Sequence, residues 1–380
     1  MSSGFRFSSK NLNQFRPSFS LSKLSFVSAQ TCISVSIGLS LSSSIGLAKG
    51  TEFQAIGNLK VYTANESGSL SQITFPEGQV KTISAEGPIH NVQVSPNGEL
   101  MAATLLPVGD KSHNHADTKS KTSEPKSASK NENKSNGFVV FYSTISGTQI
   151  KKVEVGQGPA HVDFTSDGKY ALVTNTKSNN VSVVDMSNFE VTHTVSTGRS
   201  PHGFRIGKNI QTAYVANMAD KSISIIDMNA KKETNRIKVA GVPITTAISA
   251  DGKYLFASLN DRNELIRIEL PGKKITKVAV GKGPAQIFLA PDEKTIFVAN
   301  QGKKNSPSAT VSKIDVQTMA VLATIDVGKG AHGLAVSKDG RFTFVTNLFE
   351  NTMSVIENSK DKEILKLDVG GMPNGISLLE

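Results

Sequence analysis

The sequence predicts an all-β fold, a seven-bladed β-propeller of four-stranded antiparallel blades, with the ring closed by N- and C-terminal strands in one blade. Three observations lead there. From Pro159 to Gly198, PAHVDFTSDGKYALVTNTKSNNVSVVDMSNFEVTHTVSTG carries four short apolar runs split by turns rich in Gly, Asn, Asp and Ser; that is the pattern of an antiparallel meander. The opening residue of this unit recurs at 159, 201, 243, 284, 331 and 373, in steps of 42, 42, 41, 47 and 42. A four-stranded unit of about 40–45 residues is a propeller blade. The two ends are complementary: the copy from Leu59 to Gly87 lacks a first strand, and PNGISLL at 373–379 is a first strand with none after it. Joined, they complete a blade, and closure hides the sheet edges that would otherwise pair with other chains.

Taken in order, residues 1–48 are Ser-rich and acid-free, with Arg6, Lys10, Arg16 and Lys23 ahead of an apolar stretch from Ile33 to Ala48. They read as a signal peptide cut near Gly46-Leu47-Ala48, with a transit peptide as the alternative. The first reading makes the mature protein periplasmic or secreted. The one cysteine, Cys32, lies in this leader after SAQT, which is not a lipoprotein site. The mature chain is then cysteine-free, which excludes disulfides, thiolate metal sites and cysteine nucleophiles. Residues 49–58 read as a linker and 59–380 as the propeller. An insertion at 107–136, rich in His and Lys and nearly devoid of large apolar residues, is expected to be disordered on its own. It follows MAATLL, the run aligned with the VTN strand, so it occupies a loop between second and third strands. That loop shares a face, the top, with the connections entering each inner strand. No segment after the leader approaches the roughly 20 apolar residues of a membrane helix.

Net charge is +10, but +6 without residues 1–48 and near +4 without the insertion as well. No Lys/Arg stripe is interleaved with stacking aromatics, which argues against a nucleic-acid partner. A monomer with an envelope protein partner docked on its top loops is the partner expectation.

The repeat PxxVxxSxDGKxxxVTNxxSNxVSVxD resembles the YVTN repeat of the YncE-like seven-bladed propellers, over residues 59–380. That resemblance implies the fold; it says little about chemistry, since one propeller serves binding proteins, haem proteins and hydrolases.

Candidate chemistry lies in the histidines. His90, His161, His202 and His332 follow the blade-opening residues by one or two positions, and His113 and His115 lie in the insertion. Six of the seven thus map to the top face, with His193 outside the set. Imidazole is a common ligand of Zn, Cu and Ni. Counted from Pro88 and Pro159, His90 and His161 stand second in their strands, on neighbouring blades, and could share one metal ion. His202 and His332 stand first, each before Gly, three blades apart. Strand alternation suggests that the two pairs point differently, so His202 and His332 suit a haem-like tetrapyrrole. They are similar to the His-Gly turns of the nitrite reductase haem propeller and the nitrous oxide reductase copper propeller. The absence of CxxCH excludes covalent haem. The plainer alternative has these histidines hydrogen-bonding blade-entry backbone. The HNHAD segment, with Asp110 and Asp117, is a further metal lure.

The once-per-blade asparagines Asn65, Asn175, Asn217, Asn260, Asn300 and Asn347 read as turn-formers tolerant of left-handed backbone. Asp163 and Arg205 could open a lactone beside His161 and His202. The sequence therefore favours a binding protein for a transition metal or metal–tetrapyrrole, then a non-catalytic scaffold, then a lactonase-type hydrolase, with no catalytic residue assigned.

Overall fold

The structure, a computed structural model, describes residues 50–107, 135–209, 211–270, 272 and 274–380. The proposed leader, most of the insertion and its His113 and His115 lie outside the described residues. Within them are seven four-stranded antiparallel sheets arranged as the blades of a ring. Blade 1 pairs Pro373–Leu379 with Leu59–Asn65, followed by Ser69–Phe75 and Gln79–Ser84. Blades 2 to 7 begin on Ile89–Val94, Pro159–Phe164, Pro201–Ile206, Pro243–Ile248, Pro284–Leu289 and Ala331–Val336. Each of these inner strands contacts the next around the ring, and Pro373–Leu379 meets both Ala331–Val336 and Ile89–Val94. Closure by both ends is as the incomplete repeats predict.

The core lies between blades. Phe141 and Ala102 of blade 2 pack on Val162, Phe164 and Val184 of blade 3; Phe75 of blade 1 packs on Phe342, Phe344 and Val355 of blade 7. Each sheet is therefore covered on two faces, which explains the near-continuous apolar runs in the middle strands. Residues 50–56, expected as linker, form a short helix instead. Phe53 docks it, with its ring 5.7 Å from that of Phe75.

The register of the inner strands differs from that inferred by counting from proline. Ile89, not Pro88, occupies the place of Pro159, Pro201 and Ala331: it opposes Leu105 as they oppose Asn175, Asn217 and Asn347. His90, His202 and His332 are thus equivalent, and His161 stands one residue further on. Every inner strand also shifts register directly after its opening residue, as between Pro201 and Phe204, where two residues oppose one. Such a bulge breaks side-chain alternation. First and second positions can then face the same way, and the separation into two histidine pairs fails for that reason.

The bulged backbone is held by the hydroxyl preceding the VTN asparagine. Thr174 Oγ1 accepts from the His161 amide at 3.0 Å and donates to the His202 carbonyl of the next blade at 2.7 Å. Thr104 does the same between Asn91 and Ala160, and Thr346 between Gly333 and Asn374. Thr174→Val keeps the shape but strands a buried donor and a buried acceptor, so unfolding free energy is expected to fall by about 2–4 kcal/mol. Urea denaturation checks this against Thr234→Val on the surface, expected to change it by under about 0.5 kcal/mol.

The asparagines are structural by a different route from the one expected. None has positive φ. Asn217 donates from Nδ2 to Ser222 and Ser224, and Asn347 to Thr352 and Ser354, tying second strand to third. Asn260 is not one of the set: Leu259 takes the equivalent place, opposite Pro243.

Candidate metal centre

The bulges bring three imidazoles together. His90, His161 and His202, from blades 2, 3 and 4, are 0%, 4% and 0% exposed. Their ring centroids lie 5.7 Å (90–161), 5.3 Å (90–202) and 4.5 Å (161–202) apart, and one ligand nitrogen from each falls within 4.8 Å of the others. His202 therefore sits with His90 and His161, rather than pairing with His332 across the mouth. Gly203 lets the inner strand of blade 4 lie close on that of blade 5: a Cβ there would stand 2.5 Å from the Thr245 Cβ.

The protons are largely assigned by the surroundings. His90 Nδ1 lies 2.9 Å from Glu66 Oε1 and must donate to that carboxylate. Glu66, its side chain 3% exposed, also accepts from Asn374 Nδ2 at 2.8 Å. His202 Nδ1 lies 3.0 Å from the Ile244 carbonyl and donates to it. As neutral imidazoles, both rings then present an Nε2 lone pair, and these two Nε2 atoms are 3.1 Å apart. Two facing lone pairs at that distance repel unless a cation, a proton or a metal ion, lies between them. His161 Nε2, in the same cluster, is buried and has no hydrogen-bond partner among the described residues.

Sequence reasoning missed Glu66 and Gln301. Each directly follows the second-strand residue that opposes the opening of the inner strand, Asn65 or Asn300, and reaches the next blade's inner strand, as Thr176 and Asn260 do when they donate to the Pro201 and Pro284 carbonyls. The signal was a carboxylate or amide directly after an AN dipeptide, one blade ahead of a histidine. Gln301 Oε1 accepts from His332 Nδ1 at 2.9 Å. His193 lies on an outer strand beside Thr192. Asp163 and Arg205 lie further along the inner strands. No hydrogen bond or ion pair joins them among the described residues, and each has a local bond instead, Asp163 Oδ1 with the Phe164 amide and Arg205 Nη1 with the Phe204 carbonyl. Burial pushes the Asp163 carboxyl up, against the pull of Arg205.

Burial, then the charges of His202, His90, Arg205 and His332, holds His161 well below the usual imidazole range. Burial and His90 bring His332 down to about 3, against Glu66 and Asn374. Both rings are neutral at pH 7, whereas the unfolded chain protonates them near about 6.5. Below that pH the unfolded state binds more protons, so stability falls as pH falls, by about 1.4 kcal/mol per unit per group; above it neither adds a slope. For His332 the window extends down to about 3. Urea midpoints at pH 7.5, 6 and 5 are expected to drop accordingly, with His332→Gln returning about 2 kcal/mol of the loss at pH 5.

Comparison with known proteins agrees on the fold. A family model described as a YNCE-like beta-propeller matches residues 102–277, and the resemblance drawn from the repeats is borne out. A seven-bladed beta-propeller protein of Mycobacterium tuberculosis, Rv1057, is 24% identical over 257 residues, 58% of this chain. The match spans 65% of that relative's own length. Among solved structures, Kuenenia stuttgartiensis hydrazine synthase aligns with TM-score 0.62 at 18% identity, over 76% of this chain and 89% of that one. A putative 6-phosphogluconolactonase from Bacteroides fragilis aligns with TM-score 0.64 at 13% identity, over 85% and 98%. At such identities these two structures share the fold alone.

Proposed function

We propose that the propeller is a binding protein for one late first-row transition ion, zinc or copper, held by His90, His161 and His202. The observation that carries this reading is the 3.1 Å approach of two Nε2 atoms whose Nδ1 partners already direct both lone pairs inward. Two metal–nitrogen bonds of about 2.05 Å give that separation at an angle of about 98°, near tetrahedral. A shared proton would need only two rings; the third, with a buried Nε2 lacking a partner, favours a metal. Carboxylate and carbonyl acceptors on the far nitrogens are the outer shell that orients metal-binding imidazoles. The 3.1 Å approach of His202 to His90 favours a single ion over the tetrapyrrole in this reading.

Burial of the histidines and the His202–Ile244 contact favour a second reading, a scaffold with structural histidines. Titration of chelator-stripped, desalted protein with zinc and with copper against a competing chromophoric chelator separates the two. One equivalent is expected to bind, with His202→Ala weakening it more than the about 10–100-fold of outer-shell changes and His332→Ala sparing it. No uptake at micromolar metal leaves the scaffold. The leader-like residues 1–48 support an exported site of action, which fractionation and N-terminal sequencing of the mature chain test.

A further inference from the structure

A second constellation lies at the other ends of the inner strands, away from the histidines. A cavity of about 210 Å³ opens where blades 4, 5 and 6 meet, lined by Arg205, Ala247, Ile248, Phe288, Leu289 and Pro291 among others. Its walls are aliphatic and aromatic, with one partly buried guanidinium. The other charges there compensate each other: Lys208 pairs with Glu293 at 3.5 Å, and Glu293 also accepts from the Ala250 amide at 2.8 Å. Arg205 donates to the Phe204 carbonyl at 3.0 Å and forms no ion pair with the neighbouring Asp163 among the described residues. A guanidinium offers five donors in a planar fork matched to a carboxylate.

We infer that this cavity binds a small organic carboxylate, its carboxyl on Arg205 and its hydrocarbon body against Ala247, Ile248 and Phe288. The volume, roughly seven waters at about 30 Å³ each, fits an acid of about four to eight carbons. Pockets of this kind use few polar groups to orient a mostly apolar ligand. The site uses none of the three clustered histidines as a lining residue.

The test is calorimetric or NMR titration of the full chain with benzoate and hexanoate, beside benzyl alcohol and hexan-1-ol as neutral controls. Saturable binding of an acid, absent for its alcohol, is expected. Arg205→Met should weaken it by about 10–100-fold, the effect of a lost charge-assisted fork. Ala247→Leu, which fills the cavity and leaves every charge in place, should weaken it as well. It covers the case in which Arg205→Met fails to fold. His202→Ala should leave it unchanged. Absence of saturable binding to 20 mM (on the order of the weakest useful affinity, about 2–3 kcal/mol), equal binding of acid and alcohol, or indifference to Ala247→Leu would overturn the inference.

Discussion

Removal of residues 373–380 is expected to leave no cooperatively folded propeller. Pro373–Leu379 is the inner strand of blade 1, and its loss exposes the edge of Leu59–Asn65 and opens the ring. Ile376, 6% exposed, leaves the cluster shared by blades 7 and 1. Ser377 Oγ ceases to accept from the Val94 amide, and Asn374 no longer bridges to Glu66. One buried isoleucine contributes about 1.5–3 kcal/mol. With five residue pairings across the two strands and the faces of two adjacent blades, the sum rivals the whole stability of about 5–15 kcal/mol typical of a domain. The open edges add a route to aggregation. The expected readout is insoluble protein, or loss of the sigmoidal thermal transition. A truncated chain that melts within a few degrees of the intact one would mean that the ring does not depend on closure.

Glu66 is expected to have the second largest effect, and its two replacements separate charge from shape. Glu66→Leu removes the buried carboxylate that accepts from both His90 and Asn374. Removing the acceptor of buried neutral donors costs about 1–3 kcal/mol for each donor, readable by urea denaturation. Glu66→Gln keeps an acceptor oxygen and most of the stability but removes the negative charge behind His90 Nδ1. Metal affinity should then drop by about 10–100-fold, the usual effect of an outer-shell carboxylate. A Glu66→Gln protein with unaltered affinity for zinc and copper would detach Glu66 from the site.

The fold was legible because it repeats. A propeller blade is one meander, and seven imperfect copies print the same turns and apolar runs at one period, so misreading any copy matters little. The incomplete copies at Leu59 and Pro373 even marked the closing blade. The site was legible only as a list of histidines. Their grouping depended on a one-residue question, whether Pro88 or Ile89 opens blade 2, and proline alone could not answer it, because Pro88 sits one place before the paired position. Alternation then misled, since a bulge in every inner strand turns two successive side chains toward one side. Asn260 was misassigned for the same kind of reason, with Leu259 holding the place that asparagine holds in five other blades. Glu66 was invisible as a partner because its contact spans 24 residues and two blades. The helix at 50–56 escaped because a segment that short is helical only where something docks it, here Phe53 on Phe75.

The central claim, that His90, His161 and His202 enclose one metal ion, is tested most directly by X-ray absorption spectroscopy on protein loaded with one equivalent of zinc or copper. The expected first shell holds three imidazole nitrogens at about 2.0–2.1 Å, with the outer-ring scattering of three histidines. It should fall to two in His161→Ala and remain three in His332→Ala. A shell of oxygens, or one with the same imidazole count in wild type and His161→Ala, would contradict the account and place the metal elsewhere on the chain.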